Sequence, residues 1–334
     1  MGEKGFEQTS AAVTPERERL RAGSRTLSLF GYSLNAAILR VHADEPLLSR
    51  ELERAIGWAP QSSLRVASAK LCELGALRRV EASGCSHGTE LTDAGRQLLT
   101  VIAALGRWLE RAPGGPLSLD DSAARGVVKV LSAGWDSTAI RTLAERPVTL
   151  NQLSAAIPDC SYPVLKRRLG KLRATQLVTP VEGGGRVTPY APSEWLHQAV
   201  APLAAAAGWE QRHDPEAEPV SRLEVEAAFL LALPLVELPK RARGRCKLAV
   251  LLPGGRSEGA RAASVTVEVE QGRIILRGTG SRVESQDWAL GTVEGWLEAV
   301  LHGRLDSLRL GESDGRLANR LVKGLHGVLD IGET

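Results

Sequence analysis

The chain has 334 residues, of which 43% are hydrophobic and 24% charged, so we expect a folded protein of two or three domains. The polar N-terminus is unlike a signal peptide, no apolar run approaches the roughly 18 residues of a membrane span, and the four cysteines form no C-x-x-C pair. These features exclude a disulfide scaffold and predict a cytoplasmic protein with no membrane partner. The net charge of +3 conceals +2 over residues 25–112, +4 over residues 126–212 and −2 over residues 213–334, which predicts a polyanionic partner for the basic part.

An internal repeat relates two stretches of the chain at a spacing of 101 residues. The offset holds without a gap across residues 40–72 and keeps proline, leucine and basic positions together, which chance would not do. The chain therefore contains two copies of one unit, copy one at residues 25–112 and copy two at residues 126–212, after an N-terminal arm at residues 1–24. The paired positions include Arg40 with Arg141, Pro46 with Pro147, Leu52 with Leu153, Leu64 with Leu165 and Lys70 with Lys171.

Both copies predict the same order of elements, namely three helices, a two-stranded hairpin and a last helix. This is the order of a winged helix-turn-helix domain, in which the third helix enters the DNA major groove and the hairpin lies along the backbone or in the minor groove. In copy one the predicted helices are Leu29–His42, Ser49–Gly57, a third opened by Pro60 and Ser62, and Asp93–Arg111 capped by Thr92, with strands Ala76–Ala82 and Thr89–Leu91. In copy two the predicted helices are Val127–Glu145, Thr149–Ile157, Tyr162–Ala174 and Ser193–Gly208, with strands Leu177–Val181 and Arg186–Tyr190.

Short motifs in the two copies carry a family resemblance. They are Gly134-Trp135, Ile140-Arg141-Thr142-Leu143, Leu153-Ser154-Ala155-Ala156-Ile157 and the run Leu165–Leu172 in copy two, and Leu91-Thr92-Asp93-Ala94-Gly95 in copy one. Over residues 25–210 the chain resembles HxlR-type winged-helix regulators, which implies DNA binding and, because such regulators are homodimers, a pseudo-dimer within one chain. Copy two departs from the family at Ala191-Pro192-Ser193-Glu194, where the last helix should begin with Leu-Thr-x-x-Gly.

The exposed faces of the two third helices are the candidate DNA contacts. In copy two Leu165, Leu169 and Leu172 should face the core, which turns a basic face outward. Arg can bind guanine with two hydrogen bonds, whereas Lys and flanking Arg more often contact phosphate; the alternative is a solvated basic face with no ligand. The face of copy one is weaker, so copy one binds DNA less tightly or serves mainly as the partner of copy two. The candidates are Ser161, Tyr162, Lys166, Arg167, Arg168, Lys171 and, in the hairpin, Arg186 of copy two, and Gln61, Ser62, Arg65, Lys70, Arg78 and Arg79 of copy one.

After a Pro-rich linker at residues 214–219 the pattern becomes that of an α+β unit, the C-terminal unit at residues 220–334. Its predicted helices are Leu223–Leu233, Gln286–Leu301 and Arg316–Leu329, and its predicted strands are Lys247–Leu252, Ser264–Glu270, Arg273–Arg277 and Ser307–Leu310, with a hairpin turn at Gln271-Gly272. The segments Trp296–Leu305 and Gly311–Leu317 resemble the sterol-carrier-protein fold, which implies an apolar tunnel for a lipid-like molecule. The expected fold class is therefore mainly α, with two winged helix-turn-helix units in tandem, followed by an α+β sterol-carrier-protein-like domain.

Large apolar side chains of the C-terminal unit are the candidates for lining a ligand cavity. Trp288 and Trp296 lie eight residues apart on similar sides of the predicted helix, which favours a flat apolar wall or packing on a neighbouring domain. Most of these side chains must also belong to an ordinary core. The candidates are Phe229, Leu233, Trp288, Val293, Trp296, Leu297 and Leu301.

The sequence predicts a bacterial transcriptional regulator rather than an enzyme. The six histidines are scattered without zinc-ligand spacing, and no phosphate-binding loop or catalytic cluster is present, so we expect no metal and no cofactor. We expect double-stranded DNA as the partner, a two-part operator, an apolar small-molecule effector in the C-terminal domain, and a chain that could pair further as a homodimer. The alternative is a lipid-binding or protein-interaction protein whose winged helices serve as partner surfaces.

Overall fold

The computed structural model describes residues 23–82, 86–132, 137–182, 187–253, 262–279, 287–311 and 316–329. Helices dominate the chain as far as residue 213, and beyond that point helices pack on a five-stranded sheet. The chain thus combines a mainly helical part with a mixed α and β part, as predicted. Residues 1–22 of the N-terminal arm and Arg186 of the copy-two hairpin lie outside the described residues.

Copy one has the predicted order of elements, with one division that the sequence did not predict. The helix expected over Leu29–His42 is two helices, because Tyr32 has extended backbone angles and interrupts it. Strands β2 and β3 form the hairpin, and β1 pairs with the other edge of β3. The elements are α1 (Ser24–Phe30), α2 (Ser33–Val41), β1 (Leu47–Leu48), α3 (Ser49–Ala55), α4 (Gln61–Glu73), β2 (Leu77–Ala82), β3 (Ser86–Leu91) and α5 (Asp93–Glu110).

Copy two repeats this order, and its sheet order β4-β6-β5 is equivalent to β1-β3-β2 of copy one. The third helix, α9, has the predicted bounds, whereas the predicted last helix Ser193–Gly208 is two helices that continue to His213. The elements are α6 (Ser122–Ser132), α7 (Ser137–Glu145), β4 (Val148–Thr149), α8 (Leu150–Ala156), α9 (Tyr162–Ala174), β5 (Val178–Pro180), β6 (Pro189–Pro192), α10 (Glu194–Gln198) and α11 (Val200–His213).

The same polar contacts begin the last helical segment of each copy. The Oγ1 atom of Thr92 accepts a hydrogen bond from the backbone N–H three residues on at 3.1 Å, and the Oγ atom of Ser193 does the same at 3.2 Å. Each residue also donates its own backbone N–H to a carbonyl that precedes the hairpin, Ala76 at 3.1 Å in copy one and Leu177 at 2.9 Å in copy two. Copy two therefore keeps the helix cap although it departs from the Leu-Thr-x-x-Gly pattern.

The two copies differ at the glycine of that pattern. A Cβ atom on Gly95 would lie 2.1 Å from the carbonyl oxygen of Ala76, so copy one has no room there for a side chain. Copy two has Leu196 at the equivalent position, and that side chain is buried. The cap is common to both copies, whereas the residue at the position of Gly95 is not.

The two copies pack on each other through equivalent helices, α1 on α6 and α5 on α11. Trp108 and Trp195 stack with their ring centroids 4.7 Å apart, and each indole N–H donates to the backbone carbonyl of the other residue, at 2.8 and 2.9 Å. Trp209, the repeat equivalent of Trp108, donates to the carbonyl of Ala94, the repeat equivalent of Trp195, at 2.8 Å. Contacts exchanged in this way between equivalent positions are those that a two-fold axis produces.

The C-terminal unit is a sheet with strand order β11-β10-β7-β8-β9, in which β10 runs parallel to β7 and the other neighbours are antiparallel. Gln271 and Gly272 both have positive φ, as a tight hairpin turn between β8 and β9 requires. The elements are α12 (Arg222–Ala232), β7 (Gly244–Leu251), β8 (Ala262–Glu270), β9 (Arg273–Thr279), β10 (Asp287–Thr292), α13 (Val293–His302), β11 (Arg309–Leu310) and α14 (Arg316–Leu329).

The prediction of one helix over Gln286–Leu301 is wrong, because its first part is the strand β10. Thr292 ends the strand and caps α13, its Oγ1 accepting from the backbone N–H of Gly295 at 3.1 Å. Gly291 lies in the strand close to Leu308, since a Cβ there would lie 2.4 Å from Leu308 Cδ2. Trp288 therefore lies on the strand, and it does not share a helix face with Trp296.

Candidate nucleic-acid interface and apolar cavity

Helix α9 turns three leucines inward and its polar and basic side chains outward. Leu165, Leu169 and Leu172 are buried. The predicted contact residues, all of them exposed, are Ser161, Tyr162, Lys166, Arg167, Arg168 and Lys171. The leucine spacing therefore predicts correctly which face of this helix meets solvent.

The outward face of α9 carries positive charge that is not neutralised within the described part of the chain. Between residues 162 and 174 there are five Lys or Arg and no Asp or Glu, and none of the five pairs with an acidic group among the described residues. Arg173 lies over the ring of Tyr190 at 5.5 Å, and Lys171 and Arg173 also offset the helix dipole in the last turn. Lys166, Arg167 and Arg168 are thus the cations for which the described residues provide no structural partner.

Helix α4 holds the equivalent place in copy one but presents a different face. Arg65 and Lys70 are exposed, as predicted. Val66 stands at the position equivalent to Arg167 and is 70% exposed, and Trp58, just ahead of the helix, is 63% exposed. The face of α4 is therefore less basic and more apolar than that of α9.

Two predicted contact residues of copy one are engaged by acidic side chains. Gln61 Nε2 donates to Glu53 Oε1 at 2.6 Å, and Arg78 forms an ion pair with Glu90 across the hairpin. The other two candidates, Ser62 and Arg79, are exposed. The ion pair reduces the positive charge that copy one presents to a polyanion, and the hydrogen bond engages the amide of Gln61 within the protein.

An apolar cavity of about 150 Å³ lies where the C-terminal unit meets copy two. Its walls come from α7 and α11 of copy two and from α12, β7, α13 and α14 of the C-terminal unit. Four predicted residues, Phe229, Val293, Trp296 and Leu297, line the cavity, whereas Leu233, Trp288 and Leu301 do not. The cavity is therefore shared by two units, where the sequence predicted a site within the C-terminal domain.

The three residues that miss the cavity do so for separate reasons. Trp288 belongs to β10, and Leu233 is fully buried in the turn that follows α12. Leu301 packs against α11, since a Cβ on Gly208 would lie 3.3 Å from Leu301 Cδ1. The sequence also missed the copy-two side of the wall, for example Ile140; the only signal was that α11 is almost wholly apolar through residue 209, which is typical of a helix buried on several sides.

A buried carboxylate connects copy two to the C-terminal unit beside this cavity. Glu226 on α12 is 1% exposed, and its two oxygens pair with Arg141 Nε of α7 and Arg222 Nε of α12, both at 2.6 Å. Arg141 also donates to Thr279 on β9. Because a buried charge is costly once its partners are removed, this network holds α7 against α12.

His197 on α10 makes a second contact between the same units. Its Nδ1 lies 2.8 Å from the carbonyl oxygen of Leu231 on α12. Burial lowers the pKa of His197, and Arg277 lowers it further, while the hydrogen bond to Leu231 and the charge of Glu194 oppose the shift. The ring is therefore neutral at pH 7, with its Nδ1–H donating to the carbonyl.

Neither the known protein families nor the curated proteins contain a match to this chain. None of the described helices combines the length and the apolar character that a membrane span requires. Among the described residues, no group of three or more His, Cys, Asp or Glu is placed to hold a metal ion. The features that point to a function are the basic face of α9 and the apolar cavity.

Proposed function

We propose that this protein is a DNA-binding transcriptional regulator whose two copies act as an intrachain pseudo-dimer on a two-part operator. The observation that carries the proposal is the face of α9, where Lys166, Arg167 and Arg168 are exposed and form no ion pair with another described residue. Helix α9 is the last helix before the hairpin of copy two, the place of the element that enters the major groove in winged helix-turn-helix proteins. The resemblance of the sequence to HxlR-type regulators supports the same assignment.

Within this interface the two copies would contribute unequally. Arg167 is suited to a two-point contact with guanine, and Lys166 and Arg168 to the phosphates on either side. In copy one Val66 replaces that arginine, so α4 supplies fewer charges to the second half-site. Copy two would carry most of the affinity, and copy one would fix the spacing of the pair.

An apolar small molecule in the cavity would control DNA binding. Helix α7 forms part of the cavity wall and packs on α8, and α8 packs on α9. A ligand that favours one position of α7 would therefore bias the position of α9, which is a coupling between two sites.

The proposal is tested by selecting bound duplexes from a random double-stranded library and then measuring affinity as a function of salt. The double variant Lys166→Ala/Arg167→Ala should bind about 100-fold more weakly, and the slope of log K against log salt should be shallower by about 1, because Lys166 contacts phosphate and Arg167 contacts a base. Lys240→Ala/Arg241→Ala is the matched control, because it removes the same charge from exposed positions of the C-terminal unit. Equal losses in the two variants, or no loss in the first, would contradict the proposal.

A lipid-binding or protein-interaction role is the second candidate, and the apolar face of copy one favours it. Trp58 and Val66 are both mostly exposed, and large exposed apolar side chains mark many partner surfaces. Weak affinity for every duplex at about 50 mM salt, together with lipid that co-purifies with the protein, would support this role over the first.

A further inference from the structure

The cavity between copy two and the C-terminal unit has a volume that restricts what can bind inside it. The volume of about 150 Å³ matches apolar cavities that hold a single benzene-sized molecule. Pockets for drug-sized ligands are larger, about 300–1,000 Å³. A sterol or an extended acyl chain is therefore too large to be enclosed here.

The described part of the wall is apolar apart from one carboxylate, and it holds no cation that could pair with an anionic ligand. Among the described residues that line the cavity, Glu224 is the one ionisable residue, and its Oε2 accepts from the backbone N–H of Ser221 at 2.7 Å. The indole N–H of Trp296 donates to the carbonyl of Ala249 at 2.8 Å. These polar groups are already hydrogen-bonded within the protein, and a ligand carboxylate would meet a glutamate and no cation, which makes its burial unfavourable.

Two aromatic rings in the wall favour a ligand that itself contains an aromatic ring. Phe229 and Trp296 meet edge to face, with ring centroids 4.9 Å apart and an interplanar angle of 78°. A ligand ring can pack on this pair in the offset or edge-to-face arrangements that aromatic groups favour. Ala228 is exposed and also lines the cavity, so its side chain marks the mouth through which such a ligand enters.

We infer that this cavity is the binding site of a small, uncharged, apolar molecule of about one aromatic ring, held between copy two and the C-terminal unit. The wall on the copy-two side includes Ile140 of α7 and Leu203 of α11. A ligand that fills the gap stabilises the docked position of both units, because it binds that arrangement and not the separated one. The regulatory consequence rests on the proposed function, whereas the binding itself does not.

Binding is tested on the full chain with fluorobenzene as the probe, observed by ¹⁹F NMR, in the absence of DNA. We expect a saturable change in the ¹⁹F signal that toluene displaces and decanoate does not. Ala228→Leu at the mouth and Ala204→Leu on α11 should each lower the affinity for fluorobenzene by about tenfold or more, because the added leucine occupies the space of the ligand ring. Ala55→Leu, at an exposed alanine of α3, is the matched control and should bind like the unchanged protein.

Three outcomes would overturn the inferred site: no saturable signal, displacement by decanoate as effective as by toluene, or unchanged binding by both leucine variants with native circular dichroism. The regulatory part has its own measurement, the affinity for the selected duplex with and without saturating toluene. A change in that affinity that is lost in Ala228→Leu supports control by the ligand, and an unchanged affinity with proven fluorobenzene binding overturns control but leaves the site. Failure of the proposed DNA binding shows separately, in the comparison of Lys166→Ala/Arg167→Ala with Lys240→Ala/Arg241→Ala.

Discussion

Helices α4 and α9 occupy the same place in two copies of one fold, yet their solvent faces have become different surfaces. Inside, both helices bury leucine at equivalent positions, Leu64 with Leu165 and Leu71 with Leu172. Outside, α9 carries five basic residues and no acid, whereas α4 carries Arg65, Lys70 and Glu73. The inward residues are held by packing, which tolerates few changes, while the outward residues are free to diverge in charge without loss of the fold.

The two copies also differ in their contacts with the C-terminal unit. The C-terminal unit packs on α7, α10 and α11 of copy two, and the ionic network of Arg141, Glu226 and Arg222 lies in that contact. Arg40, the repeat equivalent of Arg141, is instead paired only loosely with Asp120, at 4.0 Å and near the surface. The more basic copy is therefore the one in direct contact with the proposed effector cavity.

The largest effect is expected where the copies should behave alike, at the tryptophans between them. Trp108→Ala and Trp209→Ala should each lower the free energy of unfolding by about 3–5 kcal/mol, because both indoles are buried and donate hydrogen bonds across the contact. Urea denaturation measures this, with Trp58→Ala as the exposed control that should stay within about 0.5 kcal/mol of the unchanged protein. A loss of unfolding free energy in only one of the two variants would contradict the equivalence of the copies at this contact.

A smaller loss of stability is expected at Gly95, near the start of the last helix of copy one, where copy two has a leucine instead. Gly95→Ala should cost about 1–3 kcal/mol, because the new Cβ would lie 2.1 Å from the Ala76 carbonyl oxygen. Gly106→Ala in the same helix has open space around the new methyl group and should gain about 0.5–1 kcal/mol. Thermal or urea unfolding of the pair checks both signs, and a neutral Gly95→Ala would show that helix and hairpin are not held this closely.

A gain of DNA affinity is expected when the difference between α4 and α9 is reduced. Val66→Arg places an arginine at the position equivalent to Arg167, and one added contact with DNA should raise the affinity by about tenfold near 0.1 M salt. Ala55→Arg adds the same charge on α3 and should have little effect in the same titration. Equal gains from both variants would mean that net charge, and not the face of α4, sets the affinity.

The smallest effect concerns pH and the contact of copy two with the C-terminal unit. Since the pKa of His197 in the folded chain is lowered, the unfolded chain takes up the proton first as the pH falls below about 6.5, and folding stability declines until the lowered pKa is reached. His197→Gln should therefore show a smaller loss of stability between pH 7 and pH 5. Arg96, the equivalent residue in copy one, is exposed, and Arg96→Gln should leave the pH dependence unchanged.

The sequence predicts the elements of this protein well where local signals agree. The bounds of α9 and α14 are those predicted, because apolar residues recur in both with helical spacing, and Pro163 lies in the first turn of α9. The prediction is wrong at residues 286–301, because the spacing of Trp288 and Trp296 is compatible with a helix although Thr292 ends a strand and caps α13. A strand that pairs with a distant neighbour has no local signal as strong as a helical period.

The two candidate sites also differ in how far the sequence predicts them. The exposed face of α9 follows from one helix and its leucines, so it could be predicted residue by residue. The cavity could not, because its wall joins Ile140 to Phe229 and Val293, positions that only the docking of two units brings together. Long-range packing of this kind leaves no pattern within any single segment.

The reciprocal pairing of Trp108 with Trp195 has a consequence for how the protein behaves on dilution. Two separate chains joined by such a contact would come apart at low concentration, and their DNA affinity would then depend on how much protein is present. Here both copies belong to one chain, and the short connection between them at residues 111–121 keeps the local concentration of each near the other high at any dilution. The contact between Trp108 and Trp195 therefore forms within one molecule, at a rate that does not depend on protein concentration. A single chain then brings both copies to the proposed operator.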